Sequence, residues 1–301
     1  MEQKRIIALG FFDGVHLGHG ALLNRAAEAA AALGGKPAAL SYHPHPLSVI
    51  PGAKAVQLLN TREDRAQLMS RYYGIDEVLI LPFDEHTRTM NWQDFVVQVL
   101  HRDCGAVHVV AGHDHHFGYK GEGNTDKLKA LCAELGMGCD VIPAVEDGNA
   151  PISSSRVRAL VAEGDMEEAA RLLGHPHCLS GQVVPGKKLG RTMGIPTANL
   201  NLPPNILPPA FGVYACRVKV GDQWHMAVTN VGVRPTVENT DRVTVEPWIL
   251  DFAGNLYGQT ITVEYHKFLR GEQRFDSVEQ LRNAILQDAA STRRYFGCSQ
   301  T

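Results

Sequence analysis

Two short runs of this sequence hold residue types able to handle phosphate. Gly10-Phe11-Phe12-Asp13-Gly14-Val15-His16-Leu17-Gly18-His19 leads from an apolar run into a helical pattern. A helix N-terminus offers free N–H groups and the positive end of a dipole, and in an open α/β sheet it lies at the carboxyl ends of strands, where ligands bind. His16 and His19 at that entrance can point at one anion. Gly10 and its neighbours let backbone approach closely, and Asp13 sits in the same turn. The plainer alternative is a pair of capping histidines after a tight turn. A dehydrogenase fingerprint is excluded because the G-x-G-x-x-G spacing is absent. The second run, Ile152-Ser153-Ser154-Ser155-Arg156-Val157-Arg158, puts hydroxyls and cations at another helix start. There the serines can cap, and Arg158 can fork onto phosphate oxygens.

Other clusters are less specific. Gly112-His113-Asp114-His115-His116-Phe117-Gly118 joins three histidines to an aspartate, but all share one loop without cysteines or a helical His-x-x-x-His spacing. That pattern suits the wall of a nucleotide pocket, with Asp114 in it, better than zinc. His45, in Ser41-Tyr42-His43-Pro44-His45-Pro46, either meets a phosphate or lies in a surface turn. Farther on, Gly181-Gln-Val-Val-Pro-Gly186-Lys187-Lys188 nearly spells a P-loop, yet Lys188 stands where Ser or Thr should hold magnesium. The next residues, Leu189-Gly190-Arg191-Thr192-Met193-Gly194-Ile195-Pro196, break any following helix. A glycine-rich basic loop with Gly186, Lys187, Gly190 and Arg191 can still fold over phosphates. Thr197 and Asn199, two apart in Pro196-Thr197-Ala198-Asn199-Leu200, would share a face of an extended segment, where their oxygens can hold magnesium or serve a β-turn. Glu246 interrupts the apolar run 243–250, and a carboxylate in a buried strand has a partner or a job.

The elements that must position these residues fall into two textures. Ile6 to Phe12, Ala38 to Tyr42, Glu77 to Leu81, Val107 to Ala111 and Asp140 to Val145 read as buried strands alternating with helices, the mark of a doubly wound, Rossmann-like α/β domain. Thr61 with Asp64, Asn91 with Asp94 and Asp165 with Glu168 are helix starts, and Gly34, Gly74, Gly136 and Gly174 are stops. After His175-Pro176 the runs Gly181 to Val184, Val213 to Val220, His225 to Val231, Val243 to Asp251 and Gln259 to Phe268 are strands broken by turn residues, a small sheet or barrel. Ser277 with Gln280 caps a closing amphipathic helix through Leu281, Ala284, Ile285 and Asp288 to Ala289. The expected domains are 1–176 and 177–301, in line with 301 residues. A net charge of −3 gives no field for nucleic acid or an anionic membrane. Six cysteines without a Cys-x-x-Cys pair read as reduced thiols of a cytoplasmic protein. Lys4 and Arg5 before the first apolar run lack the cleavage site of a signal peptide, and no stretch is long enough to span a bilayer.

The His-x-Gly-His element with the Ile-Ser-Ser-Ser-x-x-Arg element resembles the nucleotidyltransferase superfamily. The series GQVVPGKKLGRTMGIPTANL, FGVYACRV, VGVRPT, VEPWILDFAGNLYG and FLRGEQRFDS looks like a riboflavin kinase domain. Together, from Gly10 to the last helix, the chain resembles the bacterial bifunctional riboflavin kinase/FAD synthetases. The resemblance implies an N-terminal FMN adenylyltransferase and a six-stranded antiparallel β-barrel kinase with a C-terminal helix, with ATP, riboflavin, FMN and FAD as substrates and products and Mg²⁺ as cofactor. By it His16 and His19 would stabilise phosphate charge, and Gly10, Asp13, His45, Asp114, Ser153, Ser154, Ser155 and Arg158 would bind ATP. Glu246 would be the kinase base, Thr197 and Asn199 the magnesium ligands, Gly186, Lys187, Gly190 and Arg191 a loop over the nucleotide, and Arg270 and Phe275 a flap over the flavin. Three departures stand out: Ser155 for the usual Thr, His115 for an aromatic, and Pro247 after Glu246. Proline donates no ladder hydrogen bond, so the strand should run at an edge or bulge there. The alternative reading keeps adenylyl transfer alone, with the barrel as a flavin-binding module. Only small molecules are expected as partners, and the sequence assigns no oligomeric state.

Overall fold

The computed structural model describes residues 4–186, 190, 194–203, 205–234 and 242–297. The chain divides into two compact units, Met1–Gln57 with Arg62–Ser154, and Leu58–Thr61 with Ser155–Thr301.

The first unit is built on five parallel strands: β1 (Arg5–Leu9), β2 (Lys36–His43), β3 (Glu77–Pro82), β4 (Ala106–Gly112) and β5 (Gly138–Ile142), in the order β3-β2-β1-β4-β5. Each apolar run of the sequence supplies one of them. The order reverses between β1 and β4, so the crevice at their carboxyl ends is the switch point where open α/β sheets bind ligands. Crossovers are made by α1 (Leu17–Leu33), α2 (Arg62–Tyr73), α3 (Glu85–Thr89), α4 (Trp92–Asp94), which runs into a π-helix over Phe95–Asp103, and α5 (Thr125–Glu134). Asn91 caps α4 by accepting from Gln93 N–H at 2.8 Å. Gly34 closes α1 at φ 63, a left-handed position that glycine adopts without steric cost. Ile7, Leu9, Phe95, Leu100 and Val109 fill one core cluster of this unit. Each contributes roughly 1.5–3 kcal/mol by leaving water. A two-stranded hairpin, β6 (Glu146–Asp147) and β7 (Ala150–Pro151), leads out of it.

The second unit contains α6 (Ser154–Glu163, from Ser155 onward) and α7 (Met166–Leu173), then a closed barrel. Its strands are β8 (His177–Val184), β9 (Asn199–Asn201), β10 (Gly212–Val220), β11 (Gln223–Arg234), β12 (Arg242–Ile249) and β13 (Thr260–Arg270), closed in the order β10-β11-β12-β9-β8-β13 with antiparallel pairing throughout. The sixth strand, β9, is the short one that alternation alone does not reveal. The compact units part at Ser154, whereas the sequence reading parts the domains at 176; α7 packs on β8 and β13. The closing helix α8 (Val278–Tyr295) begins where expected, with Ser277 Oγ accepting from Gln280 N–H at 3.1 Å. It lies against β10 and β11.

Pro247 lies inside the closed barrel, not on a free edge. It pairs in register with Thr229 of β11, and its carbonyl accepts from Ala198 N–H at 2.9 Å. In an antiparallel strand a residue's N and C=O point to the same neighbour, so the missing donor faces the segment just before β9 begins. The ladder is interrupted there already. Residue alternation then sets Val245 and Ile249, both buried, on one face and Glu246 and Trp248 on the other.

Candidate functional site

In the first unit, the chain leaves β1 through a strained turn. Phe12 has φ 62 and Val15 φ 46, left-handed values costing roughly 1–3 kcal/mol each, more surprising still for a β-branched residue. Val15 N–H bonds Phe12 C=O at 3.1 Å, which delivers His16 as the N-cap of α1. His16 Nδ1 accepts from His19 N–H at 3.3 Å, which places any ring proton of that imidazole on Nε2. The two imidazoles stack, 3.6 Å between centroids and 18° apart. Burial first, then the nearby His16 and Arg65, hold His19 well below the ordinary histidine range. It is a neutral ring at physiological pH.

The expected neighbours gather unevenly. Gly10 lies under the Phe12 ring, where a Cβ would come within 3.1 Å. Asp13 is buried, its carbonyl accepting from Ser154 Oγ at 2.8 Å. His45 caps a short 3-10 turn and meets the Phe11 ring edge-on at 4.2 Å. Ser153 is half-buried in the same unit. Asp114 is exposed in the loop after β4; beside it His115 stacks on Phe117 at 5.5 Å, and burial lowers its pKa to about 4. Ser155 and Arg158 belong to the second unit, where Arg158 donates to Ser155 Oγ at 3.2 Å. Among the described residues no cluster of three His, Cys, Asp or Glu side chains can hold a metal.

Sequence reasoning missed Arg65. It is 3% exposed, donates to Phe11 C=O and sits over the Phe11 ring at 4.0 Å. Burial lowers its pKa to about 10. The signal was an arginine in the first turn of α2, which reads as a solvated charge unless its burial is known.

In the second unit, two cavities share a wall. One, of about 340 Å³, is lined by Glu246, Asn230, Trp248, Thr197, Arg270 and Phe275, with residues of α8 among its other walls. It falls in the usual range for a small-molecule site. The other, of about 200 Å³, is lined by Pro247, Phe252, Asn255, Tyr257 and, again, Thr197. Phe252, Asn255 and Tyr257 were legible only as part of a motif, without a role. Asn199 is buried next to the loop backbone, since a Cβ on Gly186 would fall 2.3 Å from its Nδ2. Gly190 and Ile195 close a turn, Ile195 N–H to Gly190 C=O at 2.8 Å. Lys187 and Arg191 lie outside the described residues. Arg270 is paired with Asp288 of α8, at 2.8 Å from Nη2 to Oδ2, and its guanidinium lies 5.7 Å from the Phe275 ring centroid. The hydroxyl of Thr197, the amide of Asn199 and the carboxylate of Glu246 are hard oxygen donors of the kind Mg²⁺ takes in small number beside phosphates. No helix of the described residues is long and apolar enough to cross a membrane.

A family model described as FAD synthetase matches residues 1–156, and one described as riboflavin kinase matches 173–296. The bifunctional riboflavin kinase/FMN adenylyltransferase of Listeria monocytogenes is 35% identical over 299 residues, covering 98% of this chain and 93% of the relative. Its counterpart in Pseudomonas fluorescens is 37% identical over 293 residues, covering 97% and 93%. That of Escherichia coli is 34% identical over 300 residues, covering 99% and 95%. A crystal structure described as a macrolide-efflux protein from Streptococcus pneumoniae superposes with a TM-score of 0.84 at 30% identity, over 97% of this chain and 95% of the other.

Proposed function

The chain belongs to the bifunctional riboflavin kinase/FMN adenylyltransferase family, and from that premise we propose how its residues divide the two reactions. The enzyme phosphorylates riboflavin to FMN with ATP and adenylylates FMN to FAD with a second ATP, releasing pyrophosphate. Residues 1–176 would carry the adenylyl transfer and 177–301 the kinase, in the cytoplasm.

In the kinase, Glu246 takes the proton of the riboflavin 5′-hydroxyl as that oxygen attacks the γ-phosphorus and ADP departs. The larger cavity would hold the flavin, with Phe275 and Trp248 as apolar walls. The smaller one suits a planar base between Phe252 and Tyr257. The observation that carries this reading is the shared wall: Thr197 lines both cavities, Glu246 one and Pro247 the other. A phosphate chain running from the smaller cavity past Thr197 would end beside the Glu246 carboxylate. Thr197 and Asn199 would hold Mg²⁺, which when bound neutralises charge on the transferring phosphates. The loop with Gly186, Lys187, Gly190 and Arg191 would cover the nucleotide. Arg270 would act through its pairing with Asp288, keeping the flavin wall closed.

In the adenylyl transfer, an FMN phosphate oxygen attacks the α-phosphorus and the bond to pyrophosphate breaks. His16 and His19, at the N-terminus of α1, would donate to the phosphate oxygens as charge moves to the leaving group. Asp13, Gly10, His45, Asp114, Ser153 and Ser154 would bind ATP around them, and Ser155 and Arg158 are proposed as phosphate-binding residues by the family resemblance alone.

Separate assays of FMN formation from riboflavin and of FAD formation from supplied FMN test both assignments. Glu246→Gln should lower the first roughly 10²–10⁴-fold, the usual worth of a general base, and leave the second unchanged. His16→Ala with His19→Ala should do the reverse. Loss of both activities in either variant, or of neither, contradicts the division.

A further inference from the structure

Arg65 has no part in the reading above, yet its surroundings give it one. It is 3% exposed, where a guanidinium is seldom found without a partner or a task. Its Nη1 donates to Phe11 C=O and to Ser41 Oγ, the latter at 3.3 Å, and Ser41 Oγ itself donates to the same carbonyl at 2.9 Å. The guanidinium also covers the Phe11 ring at 4.0 Å, while His45 approaches that ring edge-on at 4.2 Å. Phe11 is therefore gripped at its carbonyl by two donors and at its ring by a cation and an imidazole. The next residue, Phe12, holds its left-handed φ of 62, and its ring rests 5.3 Å from that of His19.

We propose that Arg65 is a positioning residue for adenylyl transfer, fixing the Phe11–Phe12 turn that seats His19 and the ring that seats His45. The inference rests on the reading of His16 and His19 as the adenylyl-transfer site. Packing alone accounts poorly for an arginine here, because a methionine would fill the space without desolvating a charge. Arg65 Nε is enclosed without a hydrogen-bond partner, a defect that a purely stabilising residue would not keep. The charge has a second effect: it faces His19 and helps keep that ring neutral. The titratable and charged groups acting on His19 are His16, from its own helix, and Arg65, from α2; Asp13 in turn faces Arg65.

The test uses the full chain, with riboflavin phosphorylation as an internal control. Arg65→Met should lower kcat for FAD formation from FMN roughly 10–100-fold, the cost of misplacing reacting groups by about an ångström, while kinase activity stays level. Its acid limb should move to higher pH, since His19 protonates more easily once the cation is gone. Arg65→Lys, which keeps the charge, should restore the limb and part of kcat. Should Arg65→Met fail to fold, Ser41→Ala removes the second donor to Phe11 C=O and should still lower kcat severalfold. Adenylyl transfer within twofold of the parent in Arg65→Met, or in Ser41→Ala where that variant stands in, overturns the proposal. So does an unshifted acid limb with Arg65→Lys no better than Arg65→Met, which would mark a volume effect. A parent chain that makes no FAD overturns the reading of the site itself, and this inference with it, whereas differences among the variants bear on Arg65 alone.

Discussion

Removing the Asp288 carboxylate should loosen the wall of the larger barrel cavity by an amount that the structure lets one bound. Asp288 receives Arg270 through three contacts, Nε to Oδ1 at 3.1 Å, Nε to Oδ2 at 3.2 Å and Nη2 to Oδ2 at 2.8 Å. The side chains are 8% exposed on the aspartate and 20% on the arginine. Taking one partner from a buried pair costs about 3–5 kcal/mol, because the other charge is left stranded. Arg270 keeps a fifth of its surface in water and borders a cavity that can admit more, so Asp288→Ala should fall near the lower end, about 3 kcal/mol, or roughly a 150-fold shift in the unfolding equilibrium. Urea unfolding in a Trp92→Phe background, followed by Trp224 and Trp248 fluorescence, reports the barrel unit alone. Riboflavin phosphorylation should fall with it, while FAD formation from FMN persists. A loss under about 1 kcal/mol would refute the reasoning. If Arg270 serves substrate phosphate instead of the helix, Asp288→Ala will cost little and Arg270→Met will raise KM for ATP without destabilising the barrel.

Gly18→Ala should separate stability from activity. A Cβ there meets the His16 ring at 3.0 Å and would push it off its stack with His19. Adenylyl transfer should drop about 10–100-fold although the helix gains up to about 1 kcal/mol of propensity, and an unchanged rate would place His16 outside the chemistry. His177 predicts acid sensitivity of the barrel. Burial, then His175, lowers its pKa to about 3, so between that value and the ordinary 6.5 the unfolded chain binds a proton that the folded one does not. Stability is full above about pH 6.5 and falls as pH drops, by about 2 kcal/mol from pH 7 to 5 for this residue alone. His177→Phe should flatten the slope of unfolding free energy against pH, and an unaltered slope would contradict the burial argument. Thr197→Val should raise the Mg²⁺ concentration giving half-maximal riboflavin phosphorylation severalfold without changing adenylyl transfer; equal effects on both would sever Thr197 from the metal.

How much of this was legible depended on whether the signal was local. The parallel strands show as apolar runs, because a strand buried on both faces has no polar face to alternate with. Caps at Asn91 and Ser277 and the left-handed stop at Gly34 are decided by backbone geometry within a few residues, and they stand where the sequence puts them. The strand β9 was legible only as an extended segment or turn around Thr197 and Asn199, since its place between β8 and β12 is a long-range pairing. Arg270 was expected in a flap over the flavin. Nothing in FLRGEQRFDS says that Asp288, nearly three turns into the next helix, will pair with it directly.

The same distinction separates the histidines from Arg65. His16 and His19 stand out as candidates because three residues of spacing at a helix start can direct both rings at one anion. What keeps them in place is not written in that spacing. It is a turn held against its own backbone preference, at Phe12 and Val15, by donors that arrive from Ser41 and Arg65, far along the chain. Strain of this kind persists only where the surroundings over-determine it. A candidate for the chemistry is therefore readable from sequence, whereas a candidate for its geometry is found by asking what prevents the strained turn from relaxing.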